Sequence, residues 1–278
     1  MHLRHLARSV AAAALRRSRD ELLAAPATLA GVLICAWLVV RITRPTTTPA
    51  DESPRRALGA QLFWLAVVIG ITAFRGLVFH GVAAGRVPIW DDVVQAAGNL
   101  GERWLSVKWV GSPRLALANP TAYFALPLLG LLLLRARFRS LGFGPGRRVM
   151  AVIALVCTLL VAWIVARASS AQQVAVALLG NTLQNGPFEE FLFRGALQTR
   201  LVPLVGRVWA VGLQAIAFGL WHLGAAAHGG ESLWLAAAHT IVAQATTGLL
   251  FGILMLRTGN LWASSIMHVV ANTASEMG

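Results

Sequence analysis

Residues 186–194 read Gly186-Pro187-Phe188-Glu189-Glu190-Phe191-Leu192-Phe193-Arg194, two carboxylates and a guanidinium set in an otherwise apolar stretch. Charges at bilayer depth are expensive, and where they occur they pair with one another or serve chemistry. Proline lacks an amide hydrogen and suits the first turn of a helix, so Gly186-Pro187 is expected to interrupt one helix and start the next. Glu189 then falls in that first turn. There, poor solvation favours its protonated form, while the helix N-terminus and a nearby cation favour the ionised form. Such opposed influences are those under which a carboxylate serves as general base near neutral pH. Glu190 and Arg194 are four residues apart with the acid first, the favourable order for an ion pair along one helical face. Arg194 is read as the brace of Glu190, and Glu189, about 100° round the helix, faces a separate partner. Snorkelling of charges at a membrane edge competes with the brace for Glu190 and Arg194. For Glu189, the surrounding Phe188, Phe191, Leu192 and Phe193 favour chemistry.

Working outward, the 278 residues are 57% hydrophobic and 13% charged, against about one quarter charged in an ordinary soluble domain. Bilayer is the natural solvent for such a chain. The net charge of +13 is carried almost wholly by arginine, Lys108 being the sole lysine. These arginines cluster at the ends of apolar segments, a pattern of juxtamembrane anchoring rather than of nucleic-acid binding. Apolar windows of spanning length fall at residues 22–40, 58–79, 115–134, 149–166, 174–193, 208–223 and 233–256, with a shorter one at 261–273. The expected fold is an all-α polytopic membrane bundle of about eight transmembrane helices. Residues 1–21, rich in arginine and alanine, read as an interfacial amphipathic helix ahead of a retained first span rather than as a cleaved signal. Residues 80–114 mix Asp91, Asp92 and Glu102 with Trp90, Trp104 and Trp109, as suits a segment along the headgroup layer. The basic loop 135–148 and the Arg194, Arg200, Arg207 group are expected to face the cytoplasm, whereas charges flanking the first span pull its orientation both ways. Arg75 reads as snorkelling. Cys35 and Cys157 lie in apolar runs and read as buried free thiols. Gly248 and Gly252 form a small-xxx-small face inviting close helix approach.

Because nearly every chemically unusual residue comes after Arg148, residues 1–148 are expected to be accessory and 149–278 the catalytic core. In that second part, Phe218 and His222 share a helical face, so the ring walls the site and positions the imidazole. His268 and Asn272 have the same spacing and aim two donors at one developing oxyanion. His239 reads as structural or supporting, and His228 as loop. The residue types of Glu189, His222 and His268 would also make a His₂Glu zinc set with an open position. The chain carries no P-loop and no dinucleotide glycine pattern.

Glu189-Glu190-x-x-x-Arg194, then Phe218-x-x-x-His222, then His268-x-x-x-Asn272, in that order on separate hydrophobic segments, resemble the signature of the CPBP family. These are the CAAX prenyl protease type 2 and bacteriocin-processing enzymes, also called Abi or Rce1-like intramembrane glutamic proteases. The resemblance covers about residues 149–275. It implies a helical bundle whose buried cavity opens toward lipid and the cytosolic side, and cleavage of a peptide bond near a substrate's C-terminus or after a leader. By motif, Glu189 and His222 would hold and deprotonate the attacking water, His268 and Asn272 would stabilise the tetrahedral oxyanion, and Glu190 with Arg194 would orient these groups. It further implies a metal-free site without a cofactor. The implied partners are the lipid bilayer and the peptide tail or leader of a membrane-associated protein. Prenylated CAAX tails, bacteriocin leaders and C-terminal sorting tails, as in myxosortase-like relatives, all fit. The Arg-rich, Ala-rich composition suits a GC-rich bacterial genome, hence a bacterial inner membrane. Two rival functions use the same residues: a proton-coupled transporter, which would carry paired broken helices where this chain shows one Gly-Pro break, and a non-catalytic peptide-binding immunity protein.

Overall fold

The computed structural model describes residues 33–41, 55–144, 170–227 and 232–277, with residues 30, 161, 164 and 166–168. Among them there is no strand. The helices are α1 (Arg55–Phe79), α2 (Trp90–Trp104), α3 (Leu115–Leu133), α4 (Ala171–Gln184), α5 (Gly186–Glu190), α6 (Thr199–Trp221), α7 (Leu233–Thr258) and α8 (Leu261–Glu276). A π-helical segment, Phe191–Gln198, joins α5 to α6 without a break.

Local sequence sets the ends of these elements. Ser170 accepts a hydrogen bond from the Gln173 amide and caps α4. Gly259, at φ 66°, closes α7 in the left-handed region that glycine adopts without strain. The next residue, Asn260, caps α8 by accepting from the Trp262 amide at 2.7 Å. Between α4 and α5 the backbone leaves helical geometry at Asn185 (φ −127°, ψ −79°), and Pro187 sits in the first turn of α5. Glu189 occupies that turn, where the sequence places it.

Four stretches are long and apolar enough to cross a membrane: Arg56–Phe79, Leu115–Leu133, Ala171–Trp221 and Leu233–Thr258. This is an integral membrane protein, but the expected count of about eight spans is not matched by the described residues. Windows 22–40 and 149–166 fall mostly outside those residues. Windows 174–193 and 208–223 belong to one continuous helical stretch, which turns at Asn185 and again at Gly206 (φ 79°, ψ 167°). The last window is a helix of 16 residues, about 24 Å long at 1.5 Å per residue and short of a bilayer's roughly 30 Å hydrocarbon core.

The packing is inverted relative to a soluble protein. Val208 and Trp234 are 84% and 87% exposed, while Arg194, Arg200, Glu190 and Gln214 are fully buried. A large apolar outer surface suits lipid. The main core joins Leu65 and Val68 of α1 and Leu131 of α3 to Phe191, Leu192, Phe193, Phe218 and Met255. Helical residues Ala36 and Val39 pack on Leu250, Phe251 and Leu254 of α7 and on Met267 of α8. Polar ties bind the early helices to the late ones: Trp221 Nε1 donates to Thr72 Oγ1 at 2.8 Å, and Asn119 Nδ2 to Asn185 Oδ1 at 3.2 Å.

Two of the arginines expected to mark a cytoplasmic face, Arg194 and Arg200, are fully buried within the bundle. Arg200 donates to Gln61 Oε1, the Ser140 hydroxyl and carbonyl, Thr199 Oγ1 and the Gly195 carbonyl. That network stitches α1 and the 138–141 turn to the start of α6. Arg75, read in sequence as snorkelling, has protein partners: its Nε lies 2.9 Å from Asp91 Oδ1, and Nη1 donates to the Gly85 carbonyl at 3.0 Å.

Candidate functional site

α5 delivers Glu189, the C-terminal end of α6 delivers His222, and the middle of α8 delivers His268. The three side chains meet. Glu189 is 5% exposed, and its Oε2 has no hydrogen-bond donor within the protein. That same oxygen lies 3.7 Å from His222 Nε2 and 3.8 Å from His268 Nε2. These separations exceed a direct hydrogen bond, so the oxygen keeps its acceptor capacity for a water on the cavity side.

Both imidazoles are oriented from behind. His222 Nδ1 is 2.9 Å from the Phe218 carbonyl oxygen. A carbonyl only accepts, so Nδ1 carries the hydrogen and, in the neutral ring, Nε2 presents a lone pair toward Glu189. His268 Nδ1 is 2.9 Å from Glu190 Oε1, which fixes that ring with its Nε2 also toward Glu189. Phe251 stacks on His268 with ring centroids 5.0 Å apart, and Phe218 meets His222 edge-on at 4.6 Å.

Glu190 and Arg194 stand behind this set. Arg194 Nη1 lies 2.9 Å from Glu190 Oε1, with both side chains fully buried. The snorkelling alternative for this pair is thereby excluded, and the brace is the arrangement present. The guanidinium also sits over the Phe218 ring, 4.2 Å from its centroid, and Nη2 donates to the Gly248 carbonyl at 3.3 Å. That carbonyl is reachable because α7 presents glycine: a Cβ on Gly248 would lie 3.1 Å from Ala215 Cα of α6. The small-xxx-small face thus has a local purpose, bringing backbone within reach of a buried guanidinium and of Gln214, whose Nε2 donates to the same carbonyl at 2.9 Å.

A cavity of about 810 Å³ opens from Glu189, His222, His268 and Asn272 toward Arg75, Arg86 and Asp91. Of the seven residues singled out in the sequence, these four line it. Glu190, Arg194 and Phe218 pack behind it. His239 is half-buried and lies away from the cavity, and His228 is outside the described residues.

Several cavity residues escaped the sequence reading. Asn119 and Tyr123 come from α3, Asn185 from the α4–α5 junction, and Trp221 and Gln244 from α6 and α7. Tyr123 packs edge-on against Trp221 at 5.0 Å. One signal for them was present: Asn119 directly precedes Pro120 and Asn185 directly precedes Gly186-Pro187, polar residues beside helix-disturbing prolines. Among the described residues, no group of three His, Cys, Asp or Glu side chains is arranged to hold a metal ion.

The family described as type II CAAX prenyl endopeptidase Rce1-like matches residues 170–274. That span includes α4 through most of α8 and therefore every one of the seven residues. No curated protein and no solved structure matches the chain.

Proposed function

We propose that this chain, Rce1-like over residues 170–274, is an intramembrane endopeptidase that uses Glu189 as the base for a water nucleophile. The observation that carries the reading is the buried Glu189 Oε2 facing two imidazole Nε2 atoms at the end of a cavity inside a membrane bundle. A water bridging these atoms donates one hydrogen to Glu189 and the other to the lone pair of His222. Glu189 takes the proton as oxygen attacks the scissile carbonyl. His268 presents Nε2–H when protonated, its charge balanced by Glu190. With the Asn272 carboxamide one turn further on, it stabilises the tetrahedral oxyanion. Glu189 then returns its proton to the leaving amine. Glu190 and Arg194 position His268, while Phe218 supports both His222 and Arg194.

The substrate is a peptide tail or leader of a membrane-associated protein, presented from the lipid or its surface, and the setting is a bacterial inner membrane. Residues 149–278 are the catalytic part and residues 1–148 an accessory part, of which residues between Thr72 and Tyr123 wall the cavity. The test is reconstitution in vesicles with membrane-anchored peptides carrying CAAX, leader or sorting-tail sequences. Glu189→Gln and His222→Ala are expected to lower turnover by about 10²–10⁴-fold while the purified proteins keep their helical content and elution volume. Cleavage at the parent rate by both variants would remove the proposed water activation.

A further inference from the structure

α4 carries a polar stripe that cleavage chemistry leaves unexplained. Gln173, Ala177, Gly180, Asn181 and Gln184 line a second cavity of about 630 Å³, bounded opposite by residues 110–112 and by Glu276 at the end of α8. Asn181 and Gln184 are almost completely buried, at 4% and 8% exposure. Asn181 Nδ2 donates to Glu276 Oε1 at 2.9 Å, Asn185 Nδ2 to Asn181 Oδ1 at 3.4 Å, and Asn119 Nδ2 to Asn185 Oδ1 at 3.2 Å. Asn185 lines both cavities. A continuous chain of amides therefore runs from Glu276 to the edge of the site, ending four residues before Glu189.

Polar side chains in a lipid-embedded helix are costly unless they are hydrogen-bonded or face a hydrated space; Asn181 and Gln184 are bonded to protein groups and also line this cavity. Hydrolysis consumes one water for each bond cut, and a peptide filling the catalytic cavity displaces water from that side. A polar space on the other side of the Asn119–Asn185 seam resolves this conflict. Its volume is far above the roughly 30 Å³ share of one water in the liquid. Each amide offers both a donor and an acceptor, so water can pass from one to the next.

We propose that the cavity along α4 is a water-supply route to Glu189, with the Asn119–Asn185 pair at its inner end. This rests on the hydrolytic reading given above. The experiment uses Val176→Cys, which lines the cavity, and Leu179→Cys, exposed but not lining it, each with Cys35→Ala and Cys157→Ala. In vesicles, a charged thiol reagent is expected to modify Val176→Cys at least roughly tenfold faster than Leu179→Cys, because thiolate formation needs water. Unmodified Val176→Cys cleaves a fluorogenic membrane-anchored peptide as the parent does. Attaching a bulky adduct to the folded protein lowers kcat about fivefold with KM unchanged, as expected when water supply rather than peptide binding is obstructed. Equal reactivity of the two thiols, or unchanged kcat after modification, would overturn the route. So would a rise in KM alone, which would make the cavity a peptide groove. Glu189→Gln assayed in parallel keeps the two readings apart, since normal cleavage by that variant sinks the hydrolytic reading whatever the thiols do.

Discussion

Glu190 is held by two partners on one oxygen: Arg194 Nη1 and His268 Nδ1, each at 2.9 Å. Removing one member of a buried ion pair leaves the other uncompensated and costs about 3–5 kcal/mol, whereas replacing both with well-packed apolar groups is far milder. Arg194→Met alone is therefore expected to lower the detergent-solubilised protein's Tm sharply, and Arg194→Met with Glu190→Leu to recover much of it. Activity does not recover in the double variant, because His268 loses its orienting carboxylate. Near-parental Tm for the single variant would show that the pair is not holding the fold. A second prediction concerns the oxygen that faces the cavity: Glu189, His222 and His268 have the residue types of a zinc set, but the proposed chemistry needs only water. Incubating the purified enzyme with a strong zinc chelator is expected to leave turnover within about twofold, and a loss reversed by added zinc would reassign the three residues as ligands. The Glu190–Arg194 pairing was legible because four-residue spacing on a helix is a local rule. The bond from Glu190 to His268 was not, since nothing local joins residues 78 apart.

At the scale of elements, the site depends on how α6 and α7 approach. Gly248 and Gly252 present backbone to Arg194, Gln198 and Gln214, whose side chains donate to the two glycine carbonyls. A Cβ at Gly252 would fall 2.5 Å from Gln214 Nε2, and one at Gly248 3.1 Å from Ala215 Cα. Gly248→Leu is therefore an overpacking change, expected to cost about 1–3 kcal/mol in stability and to depress kcat by displacing Arg194. Unfolding by denaturant alongside peptide cleavage reads both effects, and a fully active, equally stable variant would show that close approach is dispensable. The glycine pattern and the Gly186-Pro187 restart were visible in sequence, since each is a short-range rule of backbone geometry, whereas the Asn260 cap emerged only with the structure. The number of spans was less so. Hydropathy marks where a helix is apolar and is silent on whether consecutive apolar runs form one helical stretch, and the turns at Asn185 and Gly206 occur inside such a stretch. The π-helical Phe191–Gln198 segment, which carries Arg194 into the interior, has no sequence period that separates it from an α-helix.

Across the whole molecule, the late helices supply the proposed reacting groups, Glu189, His222 and His268, and residues of α1, α2 and α3 line the same cavity. Trp90, Asp91, Val94 and Gln95 of α2 face the cavity from one side, and Thr72, Arg75 and Gly76 of α1 from another. Arg75 joins these two elements through Asp91, whose other oxygen accepts from the Val87 amide at 2.8 Å. At its far end, α2 is tied to Arg114 through Asn99 and Glu102. Arg75 was readable in sequence only as an isolated charge, because its partner lies in the connector 16 positions later and depends on how that connector folds back. An ion pair this near solvent contributes no more than about 1 kcal/mol to stability, so its consequence should appear in access to the cavity. Arg75→Ala is expected to leave Tm nearly unchanged while altering KM for a membrane-anchored peptide severalfold, as α2 loses its tie to α1. Exchanging the charges, Arg75→Asp with Asp91→Arg, restores attraction between the two helices and should return KM toward the parent value. Asp91→Arg alone should resemble Arg75→Ala or exceed it, since two guanidinium groups then oppose each other. The decisive measurement is KM across these four proteins: if the exchanged variant is no better than either single change, the contact is not what holds α2 over the site.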